Sequence, residues 1–234
     1  MRIRLSLMIL LALGFLFSAA AFAEQSKPEK KYEPAKGEKV YLYHRLIKPG
    51  HMKQVQEAFH SKLRAELNRN KAQRKAFWIV DENTNHIISI SFSTEETKDR
   101  DEKAKIYNKM NESLKGHIDK AEIEHFELLD INNEEYVPKI GDKVCIWERN
   151  LIPATMENAK DIYMTKIFPF MAKDEQSMDS YLLEDKDNNR LFVIDFFRGP
   201  YKHSKALHKA LESLEPMSKG EYKMTTWTIF DIYG

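Results

Sequence analysis

The sequence predicts an α+β protein made of two copies of one βαββαβ unit, and three observations carry that expectation. Gly37-Glu38-Lys39-Val40-Tyr41-Leu42-Tyr43-His44-Arg45 returns as Gly141-Asp142-Lys143-Val144-Cys145-Ile146-Trp147-Glu148-Arg149, an offset of 104 positions. The same offset runs through Pro49/Pro153 and Met52/Met156 to Phe92/Phe196, and an offset of 101 then pairs Asp130-Ile131 with Asp231-Ile232. Each copy is thus about 95 residues, an ordinary domain length. The third observation is that hydrophobic periodicity switches between strand and helix in the same order in both copies.

In the first copy Lys39–Arg45 reads as a strand, closed by the breaker pair Pro49-Gly50. Met52, Val55, Phe59, Leu63 and Leu67 then mark one stripe of an amphipathic helix. Ala76–Val80 and Ile87–Phe92 are strands joined by the turn residues Asp81–Asn85, a hairpin. Ala104, Tyr107, Met110, Leu114 and Ile118 mark a second helix, and Ile123–Asp130 a fourth strand. The second copy repeats the order. Val144–Arg149 is a strand, and Thr155 an N-cap before the stripe Met156, Ala159, Ile162, Tyr163 and Ile167. Pro169 should kink or end that helix. Tyr181–Leu183 and Leu191–Phe197 form a hairpin, Leu207 to Leu214 a helix, and Met224–Ile232 the last strand.

βαββαβ is the ferredoxin-like order, four antiparallel strands with both helices on one face. A sheet with a wet second face should alternate apolar and polar residues. These strands do not: Val40 and Leu42 oppose Tyr41 and Tyr43, and Val144 and Ile146 oppose Cys145 and Trp147. Both faces need cover. The expectation is therefore two ferredoxin-like βαββαβ repeats packed sheet-to-sheet as an intrachain pseudo-dimeric α/β barrel, with Tyr43 and Trp147 between the sheets. The alternative is two beads, each using its free face to bind another chain.

Arg2 and Arg4 precede the apolar run Leu5 to Phe17, and Ala21-Phe22-Ala23 supplies a cleavage pattern, so residues 1–23 read as a secretory signal peptide. The mature chain would begin at Glu24, in the periplasm or secreted. Residues 24–36 read as a disordered spacer, 37–132 as the first repeat, 133–140 as a linker and 141–234 as the second repeat. Losing two arginines moves the net charge from +1 to −1, which offers no footprint for nucleic acid. No membrane association is expected after cleavage, and the chain should be a monomeric pseudo-dimer or a weak oligomer. The single cysteine, Cys145, sits in an apolar strand and reads as a buried, inert thiol.

This arrangement resembles the dimeric α/β-barrel superfamily, and within it the antibiotic biosynthesis monooxygenase-like group, over 37–132 and 141–234. That family includes cofactor-independent oxygenases of polycyclic phenols and haem-degrading oxygenases. The haem degraders carry Asn followed by Arg-Leu at the end of the first strand. Here His44-Arg45-Leu46 and Glu148-Arg149-Asn150 stand there, and Asn150 is one residue out of step. Phe92 and Phe196–Phe197 replace the family's third-strand Trp, and His208 is only a loose counterpart of its haem-ligating His. These departures count against haem degradation.

The aromatic content and the lack of a catalytic motif point to a ligand held between sheet and helices. Candidate catalytic residues are His44, whose pKa apolar surroundings could tune, and Arg45 beside it. Tyr43, Trp147, Glu148, Arg149 and His208 are candidate ligand-binding residues, the arginines as clamps for a carboxylate or phenolate. No metal ligand set is expected. His203 and His208 are five apart, and His51, His60, His86, His117 and His125 show no ligand spacing. Asp185–Asn189 begins like a calcium loop, but Arg190 replaces the Gly and Phe196 the Glu, so it reads as a hairpin turn. The sequence thus points to an exported protein binding a small apolar or aromatic ligand, without a cofactor. The competing readings are a cofactor-independent monooxygenase and a secreted interaction module.

Overall fold

The computed structural model describes residues 34–68, 75–93, 97–132, 136–173, 176–199 and 205–233. The residues expected to form a signal peptide, most of those expected to form a spacer, and His203 lie outside them. Four strands and two helices form the first half: β1 (Lys39–Ile47), α1 (Met52–Ala58, Phe59–Leu63 and Arg64–Leu67), β2 (Lys75–Asp81), β3 (His86–Ser93), α2 (Thr97–Ser113) and β4 (Ile118–Ile131). The second half repeats the order: β5 (Lys143–Asn150), α3 (Met156–Ile162, Tyr163–Ile167 and Phe168–Met171), β6 (Ser177–Asp185), β7 (Arg190–Phe197), α4 (Lys205–Glu212) and β8 (Lys223–Tyr233), with a 3-10 turn at Glu215–Met217 ahead of β8.

The strands close into one eight-stranded antiparallel barrel, in the order β1-β3-β2-β8-β5-β7-β6-β4. Each half supplies four neighbours in the ferredoxin-like arrangement. Lys39 pairs with Ser93 in the first half and Lys143 with Phe197 in the second, the same register shifted by 104. Closure depends on two long strands. β4 has 14 residues and β8 has 11, enough to leave one sheet and join the other. β4 pairs with β1 up to Glu127 and with β6 from Glu127 onward. β8 pairs with β5 up to Thr228 and with β2 from Thr228 onward.

Both seams carry a bulge just past this handover, at Leu128/Asp130 on one side and facing Trp78/Ile79 on the other. A bulge bends its strand and sharpens the twist, which a sheet needs to close. The buried carboxylates of Asp130 and Asp231 follow these bulges and accept the next residue's N–H, from Ile131 and Ile232, each at 2.9 Å.

Strand alternation divides the side chains between lumen and helix layers. Phe77, Phe92, Tyr181 and Phe196 meet in the lumen, with centroid separations of 5.3 to 6.5 Å. These are two residue pairs 104 apart, one ring from each of β2, β3, β6 and β7. Tyr41, Tyr43 and Trp78 point the other way, under α1 and α2, and Cys145 and Trp147 lie under α3 and α4. This corrects the placement of Tyr43 and Trp147 between the sheets: their faces are covered by helices, and the Val40/Leu42 face fills the barrel.

Three further expectations change. Ile118 starts β4 instead of ending α2, because it must pair with Ile47 to extend the long strand. Thr155 occupies the N-cap of α3 without capping a helix N–H; its hydroxyl donates to the carbonyls of Ile152 and Met217. Pro169 does not end α3, which continues to Met171. The preceding Tyr163–Ile167 is a π-turn, and Pro169 follows it at a first-turn position where a missing N–H is tolerated. Proline does not cause the π-turn, since α1 makes one at Phe59–Leu63 with Ala65 at the matching position.

Truncating Phe92 or Phe196 to Ala should cost about 3–5 kcal/mol in urea unfolding, as both lie at the centre of the shared core. The full chain should unfold in one transition. A fragment of residues 37–132 would expose the edges of β2 and β4, and should elute as a dimer or aggregate; a monomer with its own sharp melt would contradict a shared core.

Candidate functional site

Arg45 is the most unusual residue in the helix–sheet layers. Strand alternation points it beneath α1 and α2, where it is fully buried. Its Nε donates to Asn111 Oδ1 at 2.8 Å, and Nη1 donates to Ser89 Oγ at 3.1 Å and to the Tyr43 carbonyl at 3.3 Å. Among the described residues the Nη2 group has no hydrogen-bond partner and no carboxylate pairs with the guanidinium. Three rings cage it instead, with Cζ 5.1 Å from the centroid of Phe59, 5.5 Å from Tyr107 and 5.8 Å from Tyr43. Tyr43 and Tyr107 stack at 3.6 Å.

Burial pulls the Arg45 pKa from its ordinary 12.5 down to about 10, with Tyr107 and Tyr43 partly opposing it. The group stays charged at neutral pH, at a cost to the fold of roughly 3 kcal/mol. Burial also pushes the Tyr107 hydroxyl up to about 12, so it is a neutral donor. It lies against Ser91 and Trp78 without a well-aligned hydrogen bond. A buried, caged cation with a spare donor is the chemistry of an anion anchor.

The second half repeats this theme with different neighbours. Arg149 is buried under α3 and α4, donates from Nη1 to Ser218 Oγ at 2.6 Å, and lies 5.1 Å from the Tyr222 ring. Tyr222 stacks on Trp147 at 6.0 Å. Burial raises the Tyr163 pKa there, with Arg149 opposing.

Each half also has a groove between its two helices, bordered by the π-turn. The first, roughly 340 Å³, has Leu63 and Met110 as buried lining, and both belong to the core containing the Arg45 cage. The second, roughly 570 Å³, lies between Pro169 and Phe170 on α3 and Ala210 on α4. The wider turn separates successive side chains beside each groove, and Met110 is a flexible residue that can yield to a ligand.

His44 points into the lumen, away from Arg45, so the suggested catalytic pair cannot act on one group. The same holds for Glu148 and Arg149. All strand pairings are antiparallel, and β1 and β5 stand four steps apart around the barrel, so their ends reach the same mouth. There His44 Nε2 lies 3.0 Å from Glu124, which Arg190 meets at 2.6 Å, and Arg190 also reaches Asp185 at 2.7 Å and Glu148 at 3.3 Å. His44 and Glu148, left apart in the sequence reading, thus join one network through Glu124 and Arg190. His44 draws the Glu124 pKa down to about 2 against burial, with Arg190 assisting. Burial opposes the Arg190 charge, but Asp185 and Glu124 hold its pKa above the ordinary value. Burial and then His44 lower His86 to about 4, against Asp81 and Glu122. Its ring packs edge-on to Trp227 at 5.1 Å. The network ties β1, β4, β5, β6 and β7 together at that mouth through opposite charges.

His208 lies apart from both clusters, with a 60% exposed side chain 3.6 Å from Glu212. Asp185 does head a hairpin turn, accepting from the Asn188 N–H at 3.1 Å and from Arg190. Cys145 is buried, and burial with Asp195 nearby pushes its pKa well up. Among the described residues no three His, Cys, Asp or Glu side chains are placed to hold a metal ion. Sequence spacing missed the approach of Phe59 and Tyr107 to Arg45 and the contact of His51 with His117, because both join residues far apart in the chain.

No protein-family model matches the sequence, and no curated protein does. Solved structures do resemble it. A proposed monooxygenase from Fusobacterium nucleatum matches with a TM-score of 0.69 at 9% identity, covering 84% of this chain and 94% of that one. An anthrone oxidase-like protein matches at 0.65 and 9%, covering 86% and 95%. A ferredoxin-fold protein from Listeria monocytogenes, related to antibiotic biosynthesis monooxygenases, matches at 0.51 and 10%, covering 84% and 96%. The chain therefore has the dimeric α/β-barrel fold of antibiotic biosynthesis monooxygenase-like proteins.

His86 gives a pH test of the barrel mouth. Its folded pKa of about 4 lies below the ordinary 6.5, so the unfolded chain takes up a proton that the folded chain resists. Stability should fall as pH drops from 6.5 to 4, by roughly 1 kcal/mol for this half-exposed ring after screening. Urea unfolding at pH 7, 5.5 and 4 should show that loss, and His86→Gln should remove it. Glu124 acts in a lower window, from 4.5 to about 2.

Proposed function

We propose that this chain is an exported small-molecule-binding protein of the dimeric α/β-barrel type. Its ligand is a flat aromatic molecule with an acidic oxygen, held between sheet and helices of the first half. The observation that carries this reading is Arg45: a fully buried guanidinium whose Nη2 has no hydrogen-bond partner among the described residues, set among three aromatic rings in the core that also supplies Leu63 and Met110 to the groove beside the π-turn. Such a charge weakens the fold, which fits a residue kept for a ligand. An anionic oxygen on Nη2 would supply the missing counter-charge, and the rings would stack on the ligand's faces.

Monooxygenation is the second reading, favoured by the names of the monooxygenase and anthrone oxidase-like neighbours. A cofactor-independent route needs a base to take the substrate's proton. Among the described residues at Arg45 there is no histidine or carboxylate, and His44 is on the other face of β1. Binding without turnover is the better-supported reading. We further propose that 37–132 and 141–234 are tandem copies joined by the 133–140 linker, in keeping with the matched registers and π-turns, and that residues 1–23 direct export.

Titration with 1-naphthol, followed by tryptophan quenching, should saturate. Arg45→Met should weaken it at least tenfold while leaving the chain as stable as the parent or more so. Unchanged binding in Arg45→Met would remove the anchor, and consumption of oxygen with naphthol would favour the oxygenase. Mature protein should begin at Glu24; an intact N-terminus on exported protein would refute the cleavage site.

A further inference from the structure

His51, just before α1, and His117, just after α2, meet at the surface. Their Nδ1 atoms are 2.7 Å apart and their ring centroids 4.9 Å apart. One proton can sit between two such nitrogens, with one imidazole donating and the other accepting. Both backbones are firmly held. The His51 N–H donates to the Lys48 carbonyl at 3.0 Å and its own carbonyl accepts from Val55 at 3.1 Å. The His117 N–H donates to Leu114 at 2.7 Å, and its carbonyl accepts from Lys48 at 2.9 Å.

The second half closes the same loops without any imidazole. Thr155 stands where His51 does and Met217 where His117 does. The Thr155 N–H donates to Ile152 at 3.1 Å, the Ile152 N–H to Met217 at 2.8 Å, and the Ala159 N–H to Thr155 at 2.9 Å. These are the same backbone bonds, with a threonine hydroxyl in place of the ring contact. The architecture therefore does not need the histidine pair, and both rings are only partly buried, so an ion can reach them.

We propose that His51 and His117 form a two-histidine site for one divalent transition-metal ion, copper(II) before others, bound through both Nδ1 atoms with water in the open positions. The geometry favours a tetragonal ion. Two cis nitrogens on bonds of about 2.0 Å stand about 2.8 Å apart on a square plane and about 3.3 Å apart on a tetrahedron. The pair needs to open only slightly for the first, and more for zinc. Among divalent ions copper also binds imidazole most tightly. Replacing the shared proton by the ion couples binding to proton release.

Copper sulfate titrated into the purified full-length protein, in a non-coordinating buffer at pH 7.5, should bind at one equivalent. The electron paramagnetic resonance spectrum should show a tetragonal centre with two imidazole nitrogens. His51→Thr, which takes the residue the second half uses, and His117→Gln should each weaken binding at least tenfold with melts near the parent's in the absence of copper. His125→Gln should leave binding unchanged. No saturable binding by the parent, or the same affinity in both variants, would overturn the proposal. Should a variant misfold, the nitrogen count in the parent spectrum decides alone: fewer than two imidazoles would sink it.

Discussion

The handover of β4 and β8 from one sheet to the other is the constraint on which the rest of the molecule depends. Each strand is paired within its own half at its start and with the other half at its end, changing partner at Glu127 and Thr228. Neither half can satisfy the far ends of these strands alone, since unpaired backbone groups are costly to bury. Closure removes most sheet edge and brings two apolar faces together. The bulges at both seams supply the bend, and Asp130 and Asp231 satisfy local N–H groups there. Arg64 and His60 on α1 reach Asp231 at 2.6 and 3.1 Å, so the seam is tied to the helix layer.

Closure also decides where function can reside. The lumen is filled by four rings and by the matched charges of Glu124, Arg190 and Glu148 at one mouth, leaving the two helix–sheet layers as the adaptable parts. There the halves differ. Arg45 and Arg149 are equivalent in position, but Arg45 is enclosed by Tyr43, Phe59 and Tyr107, whereas Arg149 bonds Ser218 beside Tyr222. In a barrel of two similarly built halves, one half can keep a costly charge while the other helps hold the fold.

Much of this was legible in the sequence. The recurrence from Gly37 at Gly141 gave the unit, and periodicity gave every strand and helix, because long amphipathic stripes and hairpin turns are local signals. Apolar residues on both strand faces required a second cover. Which face met which cover was not legible: Tyr43 and Trp147 are as suited to a helix layer as to a lumen. Ile118 fitted a helical stripe, and only pairing with Ile47 shows it to be strand. The π-turns leave the apolar stripe almost intact, so Pro169 read as a breaker. At the site, Arg45 and Arg149 were found by the repeat, but the cage around Arg45 joins three separate elements. His208 stood out by family likeness alone and lies outside it.

Native-state hydrogen exchange at the two seams tests the central claim most directly, because it compares their opening with that of the sheet within each half. The account predicts that amides shared by β2 with β8 and by β4 with β6 exchange only through global unfolding, as slowly as those between β1 and β3. Seam amides that exchange much faster, through opening that leaves the β1–β3 pairing protected, would show two sheets in contact instead of one closed barrel.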